Sequence, residues 1–223
     1  MRNFQLFIKR AFDLFCGIIL LILMIIVPLL IVIPITIRLT SKGPAIFTQE
    51  RIGRDGKVFK IYKFRTMLLP EKSINPDGSP MTSEQRITKV GRVLRKTSLD
   101  EIAQIFNIIN GTMSIVGPRP TLPYQVERYT ERQAGRHKMR PGVTGLAQVN
   151  GRNDLTWTEK IEYDLEYIEK FSLWLDIKIL FRTVLVVLKQ EGIAFTKPDA
   201  VININTKTPQ QIEDRELVKI KGE

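Results

Sequence analysis

Asp100 and Glu101 are adjacent carboxylates that follow Arg92, Arg95 and Lys96 and precede the apolar-periodic run 102–109. Ser98 stands three residues ahead of Glu101, the spacing of a capping box, so a helix is expected to begin here. Both carboxylates then fall in a first turn, where unpaired N–H groups and the positive end of the helix dipole favour negative charge. Two readings are open on residue types alone. In one the pair only caps a helix. In the other, the helix terminus and the preceding cations receive phosphate groups. An ionised carboxylate there can act as a nucleophile or share a divalent metal with a phosphate.

Further cations recur in segments able to position them. Residues 58–67 alternate apolar and basic side chains at strand spacing and present Lys63 and Arg65 as phosphate ligands. Arg119 lies between Pro118 and Pro120, which makes it either an exposed turn residue or a guanidinium preorganised for bidentate phosphate recognition. Residues 140–153, broken by glycine and proline around one short strand, form a loop that can wrap a nucleotide, with Arg140 and Arg152 as candidate phosphate or nucleotide contacts.

The composition narrows the chemistry. A chain of 223 residues holds one domain with a real core. Its 34 Lys and Arg against 23 Asp and Glu leave +11, which suits an anionic partner: phosphate, nucleic acid or an acidic membrane surface. A single Cys16 excludes an internal disulfide and a CxxC metal site, and a single His137 excludes a multi-histidine zinc centre. A metal here is expected to be Mg²⁺ on carboxylate and phosphate oxygens.

Stepping outward from the acidic pair, the start of the chain mixes Phe4, Leu6, Phe7 and Ile8 with Arg2, Lys9, Arg10 and Asp13, an amphipathic helical lead-in for a membrane surface. Residues 14–37 carry no charge over 24 positions, enough as a helix for a hydrocarbon core of about 30 Å. Pro28 falls in the middle and Pro34 follows, and basic residues flank both ends. A helix broken at Pro28 that re-enters the same side fits these facts, and a kinked spanning helix is the other reading. Segment 45–49 reads as a short strand, 113–120 as a short buried run closed by a rigid turn, 68–82 as a proline-rich loop, and 83–94 as a basic helix or turn. Segments 123–138 and 156–170 read as polar helices, the latter with a solvated acidic face. Residues 171–189 form a helix whose Lys178, Arg182 and Lys189 make a basic stripe on an apolar body, suited to a headgroup layer or to a packed core with a basic edge. The expected organisation is a membrane helix over 1–40, a catalytic domain over 41–195 and a polar tail over 196–223.

In this order the motifs resemble a known family. Residues 63–67 (KFRTM), 95–101 (RKTSLDE), 114–120 (SIVGPRP) and 140–152 (RPGVTG through QVNGR), behind a proline-broken membrane helix, are similar to the monotopic polyprenyl-phosphate phosphoglycosyl transferases, bacterial sugar transferases in their minimal catalytic form. The resemblance implies a helix-rich α+β fold with an amino-terminal re-entrant hairpin broken at Pro28, short strands and interfacial amphipathic helices. It implies transfer of a sugar-1-phosphate from a UDP-sugar to polyprenyl (undecaprenyl) phosphate with release of UMP, a first membrane step in exopolysaccharide, capsule, O-antigen or glycoprotein glycan assembly. Asp100 would be the nucleophile of a covalent phosphosugar intermediate and Glu101 its partner, the two holding Mg²⁺. Arg95 and Arg119 would bind phosphate oxygens. The same resemblance places the chain at the cytoplasmic face of the inner membrane, among membrane lipids, and leaves a homo-oligomer open. Many members have Ser before the breaking proline where this chain has Val27.

The residue chemistry agrees. Phosphoryl transfer depends on cations more than on acids and bases, and a helix terminus with nearby arginines is expected to keep a carboxylate nucleophile ionised. A membrane-anchored binder of acidic headgroups is the alternative, and it would tolerate Asp100→Asn. Nucleic acid is not expected, since the apolar segment is long and no aromatic-basic RNA motif occurs.

Overall fold

The computed structural model describes residues 2–75, 77–151 and 155–189. The expected tail over 196–223 lies outside them. Pro28 interrupts the apolar segment: α1 (Arg2–Ile26) and α2 (Leu29–Thr40) meet at a bend of 61°. Proline lacks the N–H that would continue the ladder and its ring crowds the preceding turn. Pro34 causes no such break and lies inside α2. Among the described residues no single helix is long and apolar enough to cross a membrane, although the bent pair together reaches that length and composition.

The face that α1 turns to the protein is its charged one. Lys9, Asp13, Gly17 and Met24 are buried on one stripe, while Phe4, Phe7 and Phe15 stay 68%, 71% and 63% exposed. Lys9 Nζ donates to Asp176 Oδ2 at 2.7 Å, and the hydroxyl of fully buried Tyr167 donates to the other oxygen of that carboxylate at 2.7 Å. Asp13 accepts from Ser114 Oγ and from the N–H of Ile115. The lead-in is thus the first half of one long helix, docked on the protein through its charges.

The polar part is helix-rich α+β with two small sheets. β1 (Ile46–Ile52) and β2 (Val58–Phe64) form an antiparallel hairpin pairing Ile46 with Phe64 and Ile52 with Val58. The intervening 3₁₀ turn carries Asp55 and Gly56 at positive φ. After the 68–82 loop, α3 (Lys89–Lys96) starts at Thr88, whose hydroxyl accepts from the Gly91 N–H. Gly91 packs its Cα against the Thr66 carbonyl where a Cβ would collide, which brings the carboxyl end of β2 close to α3.

A 3₁₀ helix over Leu99–Gln104 runs directly into α4 (Ile105–Ile109). Buried Asn107 fastens α4 to β2, accepting from the Tyr62 N–H and donating to the Lys60 carbonyl. β3 (Ser114–Val116) pairs in parallel with β4 (Gly142–Thr144), and the Gly117 N–H extends that ladder to the Thr144 carbonyl. The short helices α5 (Pro123–Val126) and α6 (Glu131–Ala134) lie between these strands, and α7 (Leu146–Val149) follows β4. Two long helices, α8 (Trp157–Glu169) and α9 (Leu173–Lys189), complete the body.

Three cores hold this together, and the amino-terminal helices enter all of them. Ile33 and Ile37 pack with Ala45, Phe64, Leu94 and Ala103. Met24 joins Ile61, Ile105, Ile108 and Met113. Leu6 packs beside Val116, Tyr167, Ile168 and Ile179. α9 buries Asp176 and Ile179 but leaves Trp174, Ile177, Phe181, Val184 and Leu188 exposed, so it is docked by one edge and bare on the other. The acidic face of α8 is only partly solvated, because Asp164 is 1% exposed and pairs with the equally buried Arg136. Its spacing from Ile161, Leu165 and Ile168 puts it on the buried stripe.

Candidate functional site

Asp100 and Glu101 stand in the first turn of the Leu99–Gln104 3₁₀ helix, but the capping box does not form. Ser98 adopts a left-handed backbone (φ 57°, ψ 16°) and makes no side-chain cap. This conformation is costly for a residue with a Cβ and recurs at functional turns. Glu101 reaches across to β2 instead: Lys63 Nζ lies 2.6 Å from its Oε1, and Arg119 Nη2 lies 3.7 Å from the same oxygen. Two cations from separate segments therefore draw the glutamate away from its own backbone.

Arg95 comes from the last turn of α3 and is steered by Thr66, whose hydroxyl accepts from its Nε at 2.9 Å. Its charge acts on Asp100. Asp100 does not sit in a net stabilising field for its anion. Burial first, and then Glu101, push its carboxyl up from an ordinary 3.8 to about 6, against the pull of Lys63 and Arg95. At pH 7 the group is still mostly ionised, and less well solvated than an exposed carboxylate.

The turn over residues 117–120 holds Arg119 through a buried support. Arg136 donates to the Arg119 carbonyl at 3.0 Å, to Tyr129 Oη at 2.8 Å and to Asp164, and its guanidinium also lies 5.5 Å from the centre of the Trp157 ring. Close backbone packing fixes the other side of the turn, since a Cβ on Gly117, Gly142 or Gly145 would run into neighbouring main chain.

These groups open on one cavity of about 1050 Å³. Its polar wall includes Lys63, Arg86, Arg95, Asp100, Glu101 and Arg119, joined by Arg51 and Lys160. Its apolar wall runs between α1 and α9 through Gly17, Leu20, Ile105, Val186 and Val187. Gln148 also lines it, with both amide atoms buried and without a partner among the described residues. Polar groups left so are the ones a ligand satisfies.

The structure brings Asp100, Glu101, Arg95, Lys63 and Arg119 together. Arg65 reaches the cavity wall, but its guanidinium donates to the carbonyls of Ser41 and Lys42 at 2.8 and 2.7 Å, closing the turn after α2 onto β2. Its two Nη groups thus hold main chain, while its Nε is buried without a partner among the described residues. Arg140 is also placed elsewhere: its Nε donates to the Gly111 carbonyl at the end of α4. Arg152 lies outside the described residues. Sequence reasoning missed Arg51, Arg86, Lys160 and Gln148 as cavity residues. Of these, Arg86 stood in the segment 83–94 read as a basic helix or turn, and Gln148 in the loop over 140–153.

Among the described residues no group of three or more His, Cys, Asp or Glu gathers as a metal site. The dyad supplies two hard oxygen donor groups, which is what Mg²⁺ takes from protein when phosphate and water complete its shell. The residues thus fit a cation that arrives with a phosphorylated ligand.

Compared with known proteins, a family model described as bacterial sugar transferase matches residues 4–190. The uncharacterized sugar transferase EpsL of Bacillus subtilis is 44% identical over 189 residues, spanning 85% of this chain and 91% of the relative. The UDP-glucose:undecaprenyl-phosphate glucose-1-phosphate transferase of Klebsiella pneumoniae is 49% identical over 174 residues, 74% of this chain and 37% of the relative. The undecaprenyl-phosphate galactose phosphotransferase of Salmonella typhimurium is 40% identical over 200 residues, 83% of this chain and 41% of the relative. The matches to these last two thus span about two fifths of proteins longer than this chain, and the match to EpsL spans nearly all of it.

Proposed function

The chain belongs to the bacterial sugar transferases, and from that premise we propose that it transfers a sugar-1-phosphate from a UDP-sugar to undecaprenyl phosphate and releases UMP. The observation that carries this reading is the half-buried Asp100–Glu101 pair facing Lys63, Arg95 and Arg119 in a cavity whose other wall is apolar. A soluble nucleotide diphosphate and a lipid phosphate need those two walls together.

In the proposed first step an Asp100 carboxylate oxygen attacks the phosphorus bonded to the sugar. The bond from that phosphorus to the bridging oxygen breaks, and UMP leaves with the oxygen and its electron pair. In the second step a phosphate oxygen of the lipid attacks the same phosphorus and the bond to Asp100 breaks, giving a lipid diphosphate sugar and free carboxylate. Partial desolvation of Asp100 raises the energy of its anion and so its nucleophilicity. Arg95, held by Thr66, and Arg119, held by Arg136, meet charge on the phosphoryl oxygens. Asp100 and Glu101 are the residues that would hold Mg²⁺, which supplies charge neutralisation on the phosphates when bound.

The bend at Pro28, with exposed apolar side chains on both arms and on α9, supports a re-entrant hairpin at the cytoplasmic face of the inner membrane with α9 in the headgroup layer. Which sugar is carried, and for which glycan, is a matter for assay. Incubating the protein with Mg²⁺, undecaprenyl phosphate and a panel of UDP-sugars is expected to release UMP with one donor, and that donor alone is expected to leave a phosphosugar mass on Asp100. No UMP release with any donor would end this reading. Turnover without an adduct would leave direct transfer in its place.

The pH dependence follows from Asp100. Adduct formation requires its anion, so the rate is expected to fall as pH drops through about 6. Lys63 pulls that value down, so Lys63→Met is expected to move the acid limb to higher pH. A limb near 4, unmoved by that change, would show that Asp100 does not set it.

A further inference from the structure

Beyond Lys63 and Arg95 the cavity holds further cations, and Arg51 and Lys160 gather around Arg119, which reaches Glu101 of the dyad. Ile52, next to Arg51, pairs with Thr121 as an antiparallel bridge, its N–H donating to the Thr121 carbonyl at 2.9 Å. That bridge brings the end of β1 against the turn that carries Arg119. Lys160 arrives from α8, the helix whose Asp164 holds Arg136 and through it the Arg119 carbonyl. Arg51, Arg119 and Lys160 all line the cavity.

Their charges act on one another. Burial, then Arg119, pull the Arg51 guanidinium down to about 10. The same two causes in the same order lower the Lys160 ammonium. The carboxylates that face the cluster among the described residues are Glu101, which Lys63 and Arg119 engage, Glu159 beside Lys160, and Asp164, which acts on Arg119 but is paired with Arg136. Arg51 donates from Nη2 to Gln49, while its Nε is buried with no partner among the described residues. Like charges held together at partial burial are unfavourable until an anion arrives. Arg95 stands apart, on Thr66 and facing Asp100.

We propose that Arg51, Arg119 and Lys160 form a second anion subsite on the Glu101 side of the dyad, one that takes a phosphate monoester and serves the leaving nucleotide and the incoming lipid in turn. The proposal rests on the two-step function above. In an in-line displacement the leaving oxygen departs opposite the attacking one. UMP therefore leaves from the side of the phosphorus opposite Asp100, and the lipid phosphate that expels Asp100 must attack from that same side. Both are phosphate monoesters, so one cluster of fixed cations meets both. The subsite empties of one before it fills with the other.

The test uses the full chain in detergent or nanodiscs. UMP binding by calorimetry needs no turnover and reads the subsite whether or not the two-step reaction holds. KM for undecaprenyl phosphate, measured on protein preloaded with donor, reads the second occupant. Arg51→Met and Lys160→Met are each expected to weaken both by about tenfold, the loss of one charge-assisted contact, while Arg51→Lys and Lys160→Arg recover most of each. UMP is expected to compete with the lipid phosphate for the preloaded protein. Weakening of only one ligand overturns the shared subsite, and weakening of neither in well-folded variants overturns the subsite itself. An absent Asp100 adduct with UMP affinity still dependent on Arg51 and Lys160 would remove the two-step function and the lipid's place in this subsite with it, leaving a nucleotide contact only.

Discussion

Asp100→Asn is expected to abolish turnover and to make the protein more stable. The amide keeps the shape of the carboxylate but cannot attack phosphorus, so the rate falls by at least ~10³-fold. A non-catalytic headgroup binder would be indifferent to the change. The stability gain follows from the same environment. Burial and Glu101 hold the folded carboxyl at about 6 against an ordinary 3.8. At neutral pH the folded state therefore carries a charge that the unfolded state solvates more easily, a penalty of about 3 kcal/mol. The sign is that of a raised acid. Wild-type stability improves as pH falls through 6 towards 4, and below about 4 the group is protonated in both states and contributes nothing. At pH 7–8 the Asn variant is expected to melt roughly 8 °C higher, a difference that closes in acid. Thermal melts at several pH values check it, and equal melting temperatures at pH 7.5 would show that Lys63 and Arg95 already offset the burial.

The largest expected loss of stability lies away from the proposed nucleophile. Arg136 and Asp164 are each 1% exposed. Asp164→Ala leaves a guanidinium buried without its counter-charge, at a cost of about 3–5 kcal/mol in a fold whose total stability is about 5–15 kcal/mol. Denaturant unfolding is expected to show that loss directly. Replacing both partners, Arg136→Met with Asp164→Leu, removes the uncompensated charge and is expected to restore most of the stability but not the rate, because Arg136 also anchors the Arg119 carbonyl at 3.0 Å. Full activity in the double variant would show that the turn holds Arg119 unaided. A single variant as stable as wild type would show that water reaches the pair.

The contrast between these two aspartates shows what the chain alone reveals. Asp100 was legible because it stands beside Glu101 behind several cations, a local pattern. Asp164 sits among Glu159, Glu162 and Glu166 and by composition belongs with them. Only its phase on the Ile161, Leu165, Ile168 stripe marks it as buried, a signal present in the sequence and overridden by the count of charges. The break at Pro28, the strand character of β1 and β2 and the long carboxyl-terminal helices were readable because proline geometry and residue periodicity act within a few positions. The Ser98 cap failed because two cations distant in sequence claimed Glu101. The main-chain bonds of Arg65 and Arg140 were not legible for a related reason: an arginine beside a turn serves main-chain carbonyls as readily as phosphates, and nothing local tells which. Arg51 and Lys160 belong to the site only through the Ile52–Thr121 bridge and the docking of α8, contacts that no short window contains.

The buried contact of Lys9 with Asp176, and of Asp13 with β3, bears on how this enzyme can be divided. Cutting away the first 28 residues would not free a soluble catalyst. It would strip the buried Asp176 carboxylate of α9 of its Lys9 counter-charge, leave the Ile115 amide without its acceptor, and unroof the Ile105–Ile108 surface that Gly17 and Met24 cover. On the proposed reading, membrane attachment and catalysis would share one cooperative unit, the height of Asp100 above a bilayer being set by the same bonds that let the chain fold.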